Sequence, residues 1–486
     1  MGHKIRNLGA QPEEAGEKMN LQQQLAIELR RRTQLLPQEM AYLKKVSSQA
    51  GSGMGIHQSQ IEALEGLLRG LLSKQTERMK VFDDPDQAGA IAQAEFAERR
   101  ADVELGLTGT HSIMATFQYV FDQRASMANY AAALNAADLI AAYCYLPCMK
   151  MANEWKGSPQ GSFREPPLTY LNARATPFSV MRHKSLDILG LKLYEATESK
   201  LPIPIISLSF HNTVVFWTYC SLYHEVGHLL DQDLGLRAAL EGPLQQCLGD
   251  SVNKNRWGQW LKEIIADVFG VLLGGSGFAY SLMGLLFNAP EEVIGVSGTA
   301  EHPNSYVRML FVSTLLRHTN VPALGDVAGE IEATWRTLYA PPDSLKTLVE
   351  EGEKVAEAML DTPLDILGGR CLRDFARGNE HDSNAPDSRR DHAQVLKLAE
   401  FLRFELDRPT PHESLIRLVP AAAQMALRLV ESNYADLSAD IHQRALEFIA
   451  ALPHPDFLGE DSAKGHEEYM AKLIENFNFT APDTGA

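Results

Sequence analysis

Apolar residues recur at three- and four-residue spacing through Leu21 to Leu36 and again through Ile61 to Met79, with Glu, Lys, Arg and Gln between them. That period predicts amphipathic helices. The Ala- and Glu-rich run from Pro85 to Leu105 also reads as helix. His111 to Leu146 reads as a longer, more apolar helix that Pro147 breaks. Gly51 to Gly55 interrupts the pattern, and the Gly, Pro and Ser of Lys156 to Pro167 read as a linker. The period then changes. Phe178 to Met181 and Ile203 to Phe210 are short β-rich runs bounded by prolines, which predicts strands. One helix is expected from Asn212 to Leu234, with Asn212 or Thr213 as its N-cap and Gly235 as its stop. Helices continue to about Leu452. Arg377 to Arg390 reads as a polar surface loop, and Thr480 to Ala486 as a disordered tail. The expected fold is mostly α with a small β-sheet (α+β), divided into a helical region 1–155, a central region 156–375 and a helical region 376–486.

Composition narrows the classes. Among 486 residues, 45% are hydrophobic and 22% charged, enough apolar material for a sizeable core. The 62 acidic and 45 basic residues leave a net charge of −17, which argues against a nucleic-acid partner. The polar start, Met1 to Asn20, has no apolar signal-peptide core. Ile264 to Phe287 is the most apolar stretch. It carries Asp267 and a Gly-Gly-Ser-Gly break, so a buried helix pair is expected and no membrane partner. Five cysteines are too few for a disulfide framework, and a cytoplasmic location follows as the expectation. Cys144 and Cys148 read as core thiols.

The informative chemistry is His224-Glu225-Val226-Gly227-His228. Residues four apart lie on one helical face, so His224 and His228 can grip one Zn²⁺ while Glu225 acts on a water as general base. Catalytic zinc commonly has three protein ligands. The candidate for the third is Glu263, and Asp267, one turn later, can accept from the far ring nitrogen of a ligating histidine. Cys220, one turn before His224, reads as a packing thiol. Further on, His302-Pro303-Asn304-Ser305-Tyr306-Val307-Arg308 places His302 at a helix start beside Pro303, with Tyr306 as a second candidate donor to an oxyanion.

The H-E-x-x-H motif, the later Glu263-Ile264-Ile265-Ala266-Asp267 and the His302-x5-Arg308 element together resemble the gluzincin clan of zinc metallopeptidases, the thermolysin and neprilysin group. The resemblance covers Ile203 to Val312. It implies a zincin-like core, with Ile203 to Phe210 as an edge strand above the active helix. It also implies that His302 stabilises the oxyanion and that Arg308 holds a substrate carbonyl. The G-x-M-E-N element of zinc aminopeptidases is missing, and Asn172-Ala173 is the one Asn-Ala pair that could match the substrate-binding pair of those families. The expected function is zinc-dependent hydrolysis of a peptide or protein substrate. The rivals are a catalytically silent scaffold that binds a protein partner and a structural zinc site, which would need a fourth ligand such as Cys220 or Cys247. The N-terminal helices suit self-association or partner binding.

Overall fold

The computed structural model describes residues 19–49, 57–126, 128–157, 165–172, 177–180, 203–295, 302–379, 382–429 and 434–452. Of the sequence expectations, the Gly51 to Gly55 break, most of the linker, Ala173, Met181 and the C-terminal tail lie outside them. The described residues form a mostly helical fold with two small sheets.

Four N-terminal helices come first: α1 (Leu21–Gln49), α2 (Gln58–Met79), α3 (Pro85–Ala90) and α4 (Gln93–Ser126). Their apolar stripes meet in one core around Leu29, Leu64, Leu67, Leu71, Phe117 and Phe121. Next come α5 (Ala128–Trp155) and three strands, β1 (Leu168–Asn172), β2 (Phe178–Val180) and β3 (Ile205–Ser209). β3 lies between the others, parallel to β1 and antiparallel to β2. Strand alternation sends Leu168, Tyr170 and Ile205 into the N-terminal core, and Leu171, Ile206 and Leu208 into the main core. The sheet thus ties the two cores together.

A buried polar clamp reinforces that tie. Asp138 on α5 accepts from Arg124 on α4 at 2.6 Å, and from the backbone N and hydroxyl of Thr169 on β1 at 2.7 Å each. His57 Nε2 lies 3.0 Å from the same carboxylate. Asp138, Arg124 and His57 are all buried. A buried charge needs this many partners to offset its desolvation.

The main core is built on α6 (Ser221–Leu234), α7 (Leu236–Leu248), α8 (Lys254–Leu286), α9 (Pro290–Ile294), α10 (Ser305–Arg317), α11 (Pro322–Leu338) and α12 (Asp343–Asp361). A two-stranded sheet of β4 (Arg377–Asn379) and β5 (Asp382–Asp387) follows. The chain continues through α13 (Ser388–Phe404), α14 (Val419–Arg428) and α15 (Tyr434–Ala450). α8 is kinked at Gly275, whose φ of 51° only glycine adopts readily, so the apolar stretch is a helix pair in effect. α5 and α8 are each long and apolar enough to cross a membrane, but 83% and 72% of their most apolar windows are buried inside the fold.

Several expectations need correction. Pro147 lies within α5 and does not end it. β1 was not anticipated, although its Leu-Thr-Tyr-Leu run alternates toward two cores. Among the described residues β3 is the central strand, and β1 and β2 lie at the edges. The segment before α6 is two 3₁₀ turns, Phe210–Thr213 and Phe216–Cys220, so the helix starts at Ser221. Asn212 and Thr213 do not cap it. Asn212 donates to the Thr218 hydroxyl, and Thr213 to the Phe210 carbonyl. Gly235 does end α6, in the left-handed conformation. The polar run from Arg377 carries β4, β5 and the start of α13 in place of a loop. Cys144, Cys148 and Cys220 are buried free thiols.

Candidate metal centre

The centre forms where α6 crosses α8. A Cβ on Gly227 would sit 2.8 Å from Ala266 Cα and 2.9 Å from its carbonyl oxygen, so the two backbones touch at this point. His224 and His228 flank Gly227 on α6, as Glu263 and Asp267 flank Ala266 on α8. The i, i+4 spacing on each helix then turns both pairs toward one another. Gly227 carried no assigned role in the sequence, yet it sets this distance.

One metal-ligating atom from each of His224, His228 and Glu263 lies within 4.8 Å of the other two, and all three residues are buried. His224 Nε2 is 3.2 Å from Glu263 Oε2, and His228 Nε2 is 3.5 Å from Oε1. His224 Nδ1 lies 2.8 Å from Asp267 Oδ1. An ionised carboxylate only accepts, so Nδ1 donates to it. The lone pair of a neutral His224 then sits on Nε2 and faces a second carboxylate. Lone pair against carboxylate is repulsive unless a proton or a metal ion lies between them. His228 Nδ1 is buried without a hydrogen-bond partner. The donor set fits a divalent metal such as zinc.

The charge balance of the group follows from its packing. Burial alone would lower the pKa of His224, but its hydrogen bonds to Asp267 and Glu263 outweigh burial and raise it to about 9. Burial, with His224 beside it, pushes His228 well below the usual imidazole range. Burial works upward on Glu263, yet its bonds to His224 and His302 hold it well below the usual carboxylate range. Glu225 is raised by burial, partly offset by His224 and by a hydrogen bond from Ser179 on the edge strand β2. A carboxylate held upward in this way is a better proton acceptor.

The other candidates separate. His302 reaches the centre: its Nε2 is 3.2 Å from Glu263 Oε2, and its side chain is 57% exposed. It precedes the helix cap, which is Asn304, accepting from the backbone N of Tyr306 and Val307. Arg308 is buried and forked onto Asp267, with Nε to Oδ2 and Nη2 to Oδ1 both at 2.7 Å. Its Nη2 also lies 3.3 Å from His224 Nδ1. Its Nε and Nη2 are therefore engaged by Asp267. Tyr306 is buried with its hydroxyl toward Arg336 and Glu332 on α11. Two residues along a helix turn it by about 200°, so Arg308 and Tyr306 cannot share the centre. Cys220 hydrogen-bonds Ser281 and is not among the ligand group.

Reasoning from the sequence missed Ser179 and Lys262. The Lys262 Nζ lies 3.8 Å from Glu263 Oε1. Its position directly before the third ligand was the available signal.

No protein-family model, curated protein or solved structure matches this chain.

Proposed function

We propose that the chain is a zinc-dependent peptidase of gluzincin-like chemistry, with a zincin-like core around α6, α8 and the three-stranded sheet. The observation that carries this reading is the convergence of His224, His228 and Glu263 in one buried group, with Glu225 next to the first ligand. Zinc held there would supply Lewis-acid polarisation of a carbonyl and an acidified water.

The remaining roles belong to the chain's own side chains. Glu225 takes a proton from the attacking water at its carboxylate and passes it to the leaving amine. Ser179 positions that carboxylate from β2. The edge of β2 lies beside the site and suits an extended peptide added as a further strand. His302, the exposed imidazole facing the centre, donates its Nε2 proton to the carbonyl oxygen as charge develops there. Asp267 and Arg308 fix the tautomer and ring plane of His224.

The test is incubation of the zinc-loaded protein with a mixed peptide library, read by mass spectrometry. Cleavage that disappears on chelation and in Glu225→Gln is the expected result. A protein that binds zinc but cleaves nothing would overturn the reading in favour of a silent scaffold.

A further inference from the structure

Two groups around the buried triad stay open to solvent, and they sit on opposite oxygens of Glu263. His302 meets Oε2 and Lys262 meets Oε1. The Lys262 side chain is 40% exposed and that of His302 57%, while His224, His228 and Glu263 are at most 11% exposed. This pair therefore marks the solvent side of the centre.

Lys262 has no role in the chemistry above. Among the described residues, Glu263 Oε1 is the one carboxylate oxygen within 4 Å of its Nζ, and at 3.8 Å the contact is longer than a hydrogen bond. Glu263 is committed to the metal in the reading above, so it leaves this ammonium largely unmatched. The field of Lys262 also reaches Glu225, His228 and Asp231. A flexible point charge with three donors beside the reacting groups is suited to capture an anion on the substrate. A net charge of −17 repels acidic ligands at long range, so a local cation is what admits one.

We propose that Lys262 is a specificity-determining residue, and that its ammonium binds a carboxylate carried by the peptide close to the scissile bond. The inference rests on the peptidase reading for its catalytic part. The carboxylate has two sources, an Asp or Glu side chain or the peptide's own C-terminus.

Four versions of one peptide separate them: internal Glu or Gln, each with a free or an amidated C-terminus. Wild-type protein should cleave a carboxylate-bearing version with kcat/KM about tenfold above its neutral counterpart, the worth of one partly exposed charged hydrogen bond. The version that keeps the advantage names the source. In Lys262→Met and Lys262→Gln the ratio should fall to about one, and in wild type it should shrink as salt is added. The second readout needs no catalysis. In zinc-loaded Glu225→Gln protein, which keeps Glu263 on the metal, the carboxylate peptide should bind more tightly than the neutral one by fluorescence anisotropy, and adding Lys262→Met or Lys262→Gln should remove the difference.

A ratio of one in wild type overturns the inference, as does a ratio that survives in the variants. An equal loss on all four peptides together with weaker zinc binding also overturns it, because Lys262 then only positions Glu263. If no peptide is cleaved, the peptidase reading fails by itself, and the anisotropy difference still decides the role of Lys262.

Discussion

Arg308 and Asp267 are joined by two parallel bonds of 2.7 Å, and the same Asp267 carboxylate holds His224 Nδ1 at 2.8 Å. Asp267 is fully buried and Arg308 nearly so, so the fork has no competition from water. Burial alone would raise the Asp267 pKa, but the guanidinium and His224 hold it below the usual carboxylate value. Nε and Nη2 of Arg308 are thus both engaged by Asp267, which links Arg308 to His224.

Arg308→Ala should leave Asp267 as an uncompensated buried charge and cost about 3–5 kcal/mol of folding stability. Loss of the outer partner should also weaken zinc about 10- to 100-fold. Chelator competition measures the affinity. Unchanged zinc binding with a raised KM would support the substrate-carbonyl role.

His228→Ala should reduce zinc from about one per chain to near zero at a chelator concentration that the wild type withstands, because only two protein ligands remain. Elemental analysis of the dialysed protein checks this. Full occupancy in the variant would remove His228 from the ligand set.

Glu225→Gln should retain zinc and fold, and lose about 10²–10⁴-fold in turnover, the range of one general base. Zinc content, circular dichroism and peptide cleavage measured on one preparation separate these effects.

Gly227→Ala should cost about 1–3 kcal/mol, because the new methyl meets the Ala266 backbone at 2.8 Å and the helices must part. Zinc affinity should fall with it. Gly329, inside α11, has nothing within 4 Å of an added Cβ, so Gly329→Ala should be neutral or mildly stabilising. Urea midpoints for the pair decide whether helix contact or generic glycine loss is at work.

Acid should loosen the junction between the two cores. Burial alone would raise the Asp138 pKa, but Arg124 and His57 outweigh it and lower it to about 2, from 3.8. A depressed carboxylate pKa gives stability that is complete above the unfolded value and lost as pH falls toward the folded one. The clamp should thus contribute about 2 kcal/mol near neutral pH that disappears between about pH 4 and pH 2. Urea unfolding of the wild type should lose this increment over that window. Asp138→Asn should be less stable at pH 7 and show a flatter acid limb; equal slopes in the two proteins would rule the clamp out as their source.

The sequence by itself determined the helical character of the chain and which side chains could meet at its centre. Period and spacing are local properties. His224 and His228 share a face because four residues make about one turn, and so do Glu263 and Asp267. The same reasoning placed strands near Phe178 and Ile205. It could have separated Tyr306 from Arg308, since two residues apart on one helix point to opposite sides.

What tertiary structure decided is every relation between elements distant in sequence. The crossing of α6 on α8 depends on Gly227, whose contact with the Ala266 backbone neither periodicity nor motif reveals. The edge position of β2 depends on β1, which pairs with β3 through long-range hydrogen bonds. Arg308 turned to Asp267 because a buried guanidinium needs a buried acid, and only the fold shows which acid lies within reach. Lys262 leaves α8 about 100° round from Glu263, yet its Nζ lies 3.8 Å from Oε1, a proximity that helical spacing alone does not fix.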